Sequence, residues 1–143
     1  MGIILTQDDK NYLKRNQHNL FYDIKRNVIA GELYFDLAYR SKELRIMDSY
    51  DIEIDLNILI EDILPAVRET GGRIIQIAHD NNLKPIDLHL NNTDGEMCII
   101  IPPKIKERYP NGFELKEYIE HIQEHLYWVS FYNRYKKAPW EPH

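Results

Sequence analysis

Tyr50-Asp51-Ile52-Glu53-Ile54-Asp55-Leu56 decides the fold class of this chain. Apolar residues at 50, 52, 54 and 56 alternate with carboxylates at 51, 53 and 55. Successive side chains of an extended strand point to opposite faces, so this stretch reads as a strand with one buried and one wet face. Leu33, Phe35, Leu37 and Tyr39 repeat the alternation against Tyr34, Asp36, Ala38 and Arg40. Leu44 to Met47 reads as a short strand between them. One-sided strands in succession imply an antiparallel meander.

Helical patterns flank the meander. Residues 7–30 read as one helix, capped by Thr6 with Asp9 three residues on. Tyr12, Leu13, Leu20, Phe21, Ile24 and Val28 supply its apolar side, and Gly31 its stop. Residues 114–136 read as a second helix. Leu115, Ile119, Ile122, Leu126 and Val129 recur at spacings of four and three, and Pro139 ends it. Residues 57–64 suit a strand or a helix, Pro65 interrupts the pattern, and Gly71-Gly72 marks a turn before a short apolar stretch at 74–77. Residues 78–95 are polar and loop-like, with Asn81-Asn82, Asn91-Asn92 and Asp94-Gly95. A long irregular segment in a small domain is often functional. Residues 98–101 read as a short strand stopped by Pro102-Pro103. The order predicts an α+β fold in a single domain, 1–143: N-terminal helix, antiparallel β-meander, active-site loop, C-terminal helix.

Composition excludes several classes. The 143 residues carry 18 Lys and Arg against 23 Asp and Glu, a net charge of −5, with no long basic run. A phosphate-binding footprint is not expected, hence no nucleic acid. No apolar stretch approaches the ~20 residues that cross a bilayer. Met1-Gly2-Ile3-Ile4-Leu5 lacks the basic leader and apolar core of a signal peptide. Gly2 and Thr6 fit the loose N-myristoylation pattern, a short match. The expectation is a cytoplasmic protein with no membrane partner. Cys98 is the only cysteine, which excludes an intramolecular disulfide and a multi-cysteine zinc site.

That cysteine sits in Asp94-Gly95-Glu96-Met97-Cys98-Ile99-Ile100-Ile101-Pro102-Pro103, where a turn enters an apolar run. Local sequence alone favours a small buried apolar residue. Asp94 and Glu96 are near in sequence, and the nearest basic residues are His89 and Lys104. Neighbouring carboxylates disfavour a thiolate, which counts against a protease-like nucleophile paired with an imidazole. They count less against a cysteine that receives an already activated acyl group. His89, Asn91 and Asn92 precede it. The asparagines are either turn formers or a source of one amide N–H for an oxyanion forming at Cys98.

His121-Ile122-Gln123-Glu124-His125 matches H-x-x-E-H, in which two histidines one helical turn apart hold zinc and the glutamate acts as general base. A third ligand is needed, for which Glu141 is the candidate. The plain alternative is a solvated helix face.

The order of helix, meander, Asn-containing polar loop, Gly-x-x-Cys and helix resembles the ubiquitin-conjugating (E2) fold. The closer likeness is to bacterial E2-like proteins of anti-phage defence operons of the CBASS type. It is carried by residues 50–54, by Leu64-Pro65-Ala66-Val67-Arg68-Glu69-Thr70-Gly71-Gly72-Arg73-Ile74, by Asp94-Gly95-Glu96-Met97-Cys98, and by Trp128 through Tyr132 to Trp140-Glu141-Pro142-His143. The likeness spans roughly residues 30–143. The His-Pro-Asn of eukaryotic enzymes is absent, with His89 nine and Asn91 seven residues before Cys98. The resemblance implies thioester formation on Cys98 and transfer of the acyl group to a target amine, with no cofactor or metal. Partners it implies are an E1-type adenylating enzyme with a ubiquitin-like protein, or the C-terminal tail of a cGAS-like nucleotidyltransferase. Site residues it implies are Cys98, with help from among His89, Asn91 and Asn92. A non-catalytic protein-binding module on the same fold is the alternative.

Overall fold

Four strands pair in chain order in one antiparallel sheet: β1 (Leu20–Asp23), β2 (Val28–Leu37), β3 (Ile46–Ile60) and β4 (Leu64–Glu69). Helix α1 (Gln7–Asn16) precedes the sheet. Helices α2 (Arg73–Asp80), α3 (Ile105–Arg108) and α4 (Leu115–Tyr135) follow it. The computed structural model describes residues 2–140. The α+β expectation and the meander hold. Among the described residues no helix is long and apolar enough to cross a membrane.

The register explains the dry face. Leu33 pairs with Tyr50, Ile29 with Ile54, and Ile54 in turn with Val67. The alternate residues between them carry the outer face, where Glu32, Asp51 and Asp23 are exposed. Helix α4 covers the inner face, and Tyr118, Ile119, Ile122, Leu126, Tyr127 and Val129 are buried along it. The predicted capping box at α1 is present. Asp9 N–H donates to Thr6 Oγ1 at 3.0 Å, and Thr6 N–H to Asp9 Oδ2 at 3.2 Å. The other oxygen of Asp9 accepts the Leu115 N–H at 3.1 Å, so one carboxylate caps α1 and the first turn of α4.

Several boundaries differ from expectation. The helix predicted over 7–30 ends at Asn16, and Leu20, Phe21 and Val28 belong to a β-hairpin. Asp23 turns that hairpin by accepting the N–H groups of Lys25 and Arg26, both at 3.1 Å. Gly31 is no helix stop. It lies within β2, where a Cβ would overlap the Asn19 carbonyl oxygen. Of the short strand expected at 44–47, Leu44 closes a 3-10 turn over Lys42–Leu44, and only Ile46 and Met47 belong to a strand, as the start of the fifteen-residue β3. Residues 57–60 continue that strand, and Pro65 sits inside β4 rather than interrupting it. Thr70 N–H bonds the Asp51 carbonyl on β3, whereas the Glu69 N–H and the Val67 carbonyl turn outward to residues 95–97, so by alternation the nitrogen of Pro65 also faces away from β3 and no ladder bond is lost. Its carbonyl accepts the hydroxyl of buried Tyr118 at 2.5 Å. The apolar stretch at 74–77 is the body of α2, so the irregular loop is shorter than residues 78–95. Residues 98–101 form no strand. Only two isolated bridges, Arg68 with Glu96 and Leu90 with Met97, mark pairing in that region.

A partly buried polar network ties α2 to the sheet and to α4. Arg73 meets Asp48 through two bonds of 2.5 and 2.8 Å, and its guanidinium lies 4.5 Å from the centre of the Tyr50 ring. Ser130 donates to Asp48 at 2.8 Å and shares a 2.5 Å hydrogen bond with the Tyr50 hydroxyl. The planar guanidinium fits the carboxylate in a fork, and each side-chain oxygen of Asp48, Ser130 and Tyr50 has a partner.

Candidate active site around Cys98

The loop that carries Cys98 is held by backbone bonds on both flanks. Glu69 N–H donates to the Gly95 carbonyl and Met97 N–H to that of Val67, each at 2.9 Å, which lays residues 95–97 along the open side of β4. On the other flank Asn91 N–H donates to the Glu96 carbonyl, and Cys98 N–H to the His89 carbonyl, both at 2.8 Å. The path requires glycine at 95. Its φ is +89°, and a Cβ would run into the Glu69 carbonyl oxygen.

These anchors leave Cys98 half-buried, between buried Met97 and Ile99. Its S–H donates to the Ile100 carbonyl at 3.5 Å. Burial pushes the thiol pKa up, and the Glu96 carboxylate adds to the rise. The thiol is therefore neutral at pH 7. It gains nucleophilicity only when a base or an incoming thioester complex removes its proton.

The predicted helpers separate by environment. Asn92 is a turn former. Its Oδ1 accepts the Asp94 N–H at 2.9 Å and the Glu96 N–H at 3.3 Å, and its Nδ2 donates to Glu96 Oε2 at 3.0 Å. Asn91 is exposed, and its side-chain amide makes no hydrogen bond among the described residues. His89 has a positive φ of 63° and packs its ring edge-on against His125 at 5.7 Å and Trp128 at 5.2 Å. The His89 ring thus sits against α4, while its carbonyl anchors Cys98. Sequence reasoning placed Glu96 near the thiol and Gly95 three residues before it, but not the backbone anchoring of Gly95 on Glu69 or the packing of His89 on Trp128. The αL glycine after Asp94 was the available signal for the first.

The H-x-x-E-H segment is not a solvated helix face. His121 and His125 are 8% and 7% exposed. His121 Nδ1 shares a 2.8 Å hydrogen bond with the Tyr109 hydroxyl, and His125 packs on His89. No group of three or more metal-ligating side chains occurs among the described residues. Glu141 lies outside them. The two histidines work as packing and hydrogen-bonding residues between α4 and the loops on it. No protein-family model, curated protein or solved structure matches the chain.

Proposed function

We propose that this chain is an E2-like conjugating domain that carries an acyl group as a thioester on Cys98. One observation carries the reading. The only cysteine ends a loop clamped by backbone bonds to His89, Val67 and Glu69, half-open to solvent, in a chain ordered helix, meander, loop, helix. The Cys98 sulfur attacks the carbonyl carbon of an activated donor. The new S–C bond forms as the donor's bond breaks, and the thiol proton leaves with the donor's leaving group. An amine of the target then attacks the same carbon, an amide forms, and Cys98 regains its proton. The neutral thiol suits this exchange, because the donor supplies the driving force. Asn91 is the group with a side-chain amide to offer the transient oxyanion. The acyl donor is the C-terminus of a ubiquitin-like protein, delivered by an E1-type adenylating enzyme, or the tail of a cGAS-like nucleotidyltransferase. The setting is cytoplasmic anti-phage defence.

The raised thiol pKa favours a second reading, a binding module on the same fold whose cysteine is inert. A peptide ending in Gly-Gly, supplied as a mercaptoethanesulfonate thioester, separates the two. The conjugating reading expects an adduct on native protein by intact mass, discharged by added thiol, replaced in Cys98→Ser by a thiol-resistant oxyester, and absent in Cys98→Ala. Failure of the native thiol to exchange, when the unfolded chain does exchange, sinks that reading in favour of the binding module.

A further inference from the structure

An apolar groove of about 590 Å³ runs between α1 and β1. Leu13 and Leu20, both nearly buried, belong to its floor, and Phe21 at its outer lip is 68% exposed. The lining includes Lys10 and Lys14 and no carboxylate, although the whole chain is acidic. Neither lysine has a carboxylate within 4.0 Å among the described residues.

Strand β1 is the free edge of the sheet. Glu32 N–H donates to the Asn19 carbonyl at 3.0 Å, which makes Asn19 and Glu32 a hydrogen-bonded pair. Alternation along an antiparallel ladder then turns the backbone groups of Leu20 and Tyr22 away from β2. The Leu20 N–H is taken by Gln17 at 3.2 Å. The Leu20 carbonyl and both backbone groups of Tyr22 remain on the open edge, beside an apolar groove with a basic rim.

We propose that this edge binds an extended partner segment of alternating glutamate and apolar residues by strand addition. A residue opposite Tyr22 exchanges two main-chain hydrogen bonds with it and points its side chain into the groove. Residues one turn apart on α1, such as Lys10 and Lys14, are separated by about 6 Å along the helix. Alternate residues of a strand are separated by about 6.8 Å. Two glutamates at i and i+2 therefore match the two lysines, laying their methylenes on Leu13 and Leu20 and their carboxylates on the ammonium groups. The apolar residue between them falls beside Phe21 on the outer face. A second copy of this chain fits poorly, because two-fold pairing of β1 edges brings four lysines together.

The probe is the labelled pentapeptide acetyl-Val-Glu-Val-Glu-Val-amide, titrated into the full chain by fluorescence polarisation. Its Val-Lys-Val-Lys-Val counterpart, and a version N-methylated at both glutamates, serve as controls. Saturable binding of the acidic peptide is expected, about tenfold weaker for Lys10→Glu with Lys14→Glu, and lost on N-methylation. Amide resonances of Leu20–Asp23 should move. Both lysines are on the surface of α1, and circular dichroism verifies that the double variant folds. Equal binding of both peptides, indifference to N-methylation, or resonance changes confined to other elements overturns the proposal. So does concentration-dependent dimerisation that blocks the site, which would assign the edge to a second copy.

Discussion

The backbone N–H of Cys98 donates to the carbonyl of His89 at 2.8 Å, closing the polar loop on itself. The same histidine packs its ring on His125 and Trp128 of α4. The position of the thiol is therefore set by α4 as well as by the sheet. Changes at either support should reach it.

Cys98 should alkylate more slowly in the native protein than in denaturant at pH 8. Burial first, and the Glu96 carboxylate second, hold the thiol protonated. Glu96→Gln removes the negative charge, lowers the thiol pKa and should speed iodoacetamide labelling of the native state. An unchanged rate would show that Glu96 exerts no field on the sulfur.

Asn91→Ala and Asn92→Ala should part company. Asn92 closes the Asp94–Glu96 turn, so its loss should cost about 1 kcal/mol in urea unfolding. Asn91 makes no such bond, so its loss should leave stability unchanged. If its amide serves the oxyanion, transfer from Cys98 should slow by about a hundredfold. Stability and single-turnover discharge, measured on both variants, check the split.

Gly95→Ala should loosen the loop. A left-handed alanine costs on the order of 1–2 kcal/mol before the clash with the Glu69 carbonyl is added. Hydrogen exchange at Glu69 and Met97, whose N–H groups bond across this junction, should accelerate selectively. Uniform exchange across the sheet would instead indicate global destabilisation.

Ser130→Ala should destabilise the fold by about 1–3 kcal/mol. It leaves the Tyr50 hydroxyl buried without its 2.5 Å partner and takes one donor from Asp48. Burial already opposes the ionised form of Asp48, and Arg73 and Ser130 overcome it to hold the carboxyl below its usual range. Urea midpoints for Ser130→Ala and Ser130→Thr test this, with the hydroxyl-bearing variant retaining more stability.

Alkaline stability should fall between pH 10 and 12. Burial pushes the Tyr50 hydroxyl from 10.0 up to about 12. The fold prefers the neutral phenol, so its contribution is complete below the unfolded pKa and is lost as pH rises through the folded one. The loss is on the order of 2–3 kcal/mol for this group. Tyr50→Phe should flatten the decline in that window, although Tyr39, also pushed to about 12, keeps part of it.

Residues 20–28 show where local reading stops. Leu20, Ile24 and Val28 recur every four residues and satisfy a helix. What makes them a hairpin is the pairing of Ile29 with Ile54, a partner far along the chain. Pro65 misled for the same reason. A proline argues against a strand until its N–H side is known to face an edge.

Local residue patterns were enough for the elements whose signals are short-ranged. These are the period-two strand at 50–56, the four-and-three spacing of α4, and the Thr6–Asp9 box. Each depends on side chains within a few residues of one another, where backbone geometry alone relates them. The tertiary structure decided everything that depends on neighbours distant in sequence. It joined the 7–30 stretch to the sheet through β1 and β2, buried His121 against Tyr109 and His125 against His89, and made Asn92 a turn former. It also set Cys98 half-buried beside Glu96, because solvation and field at a thiol come from whatever the fold packs around it.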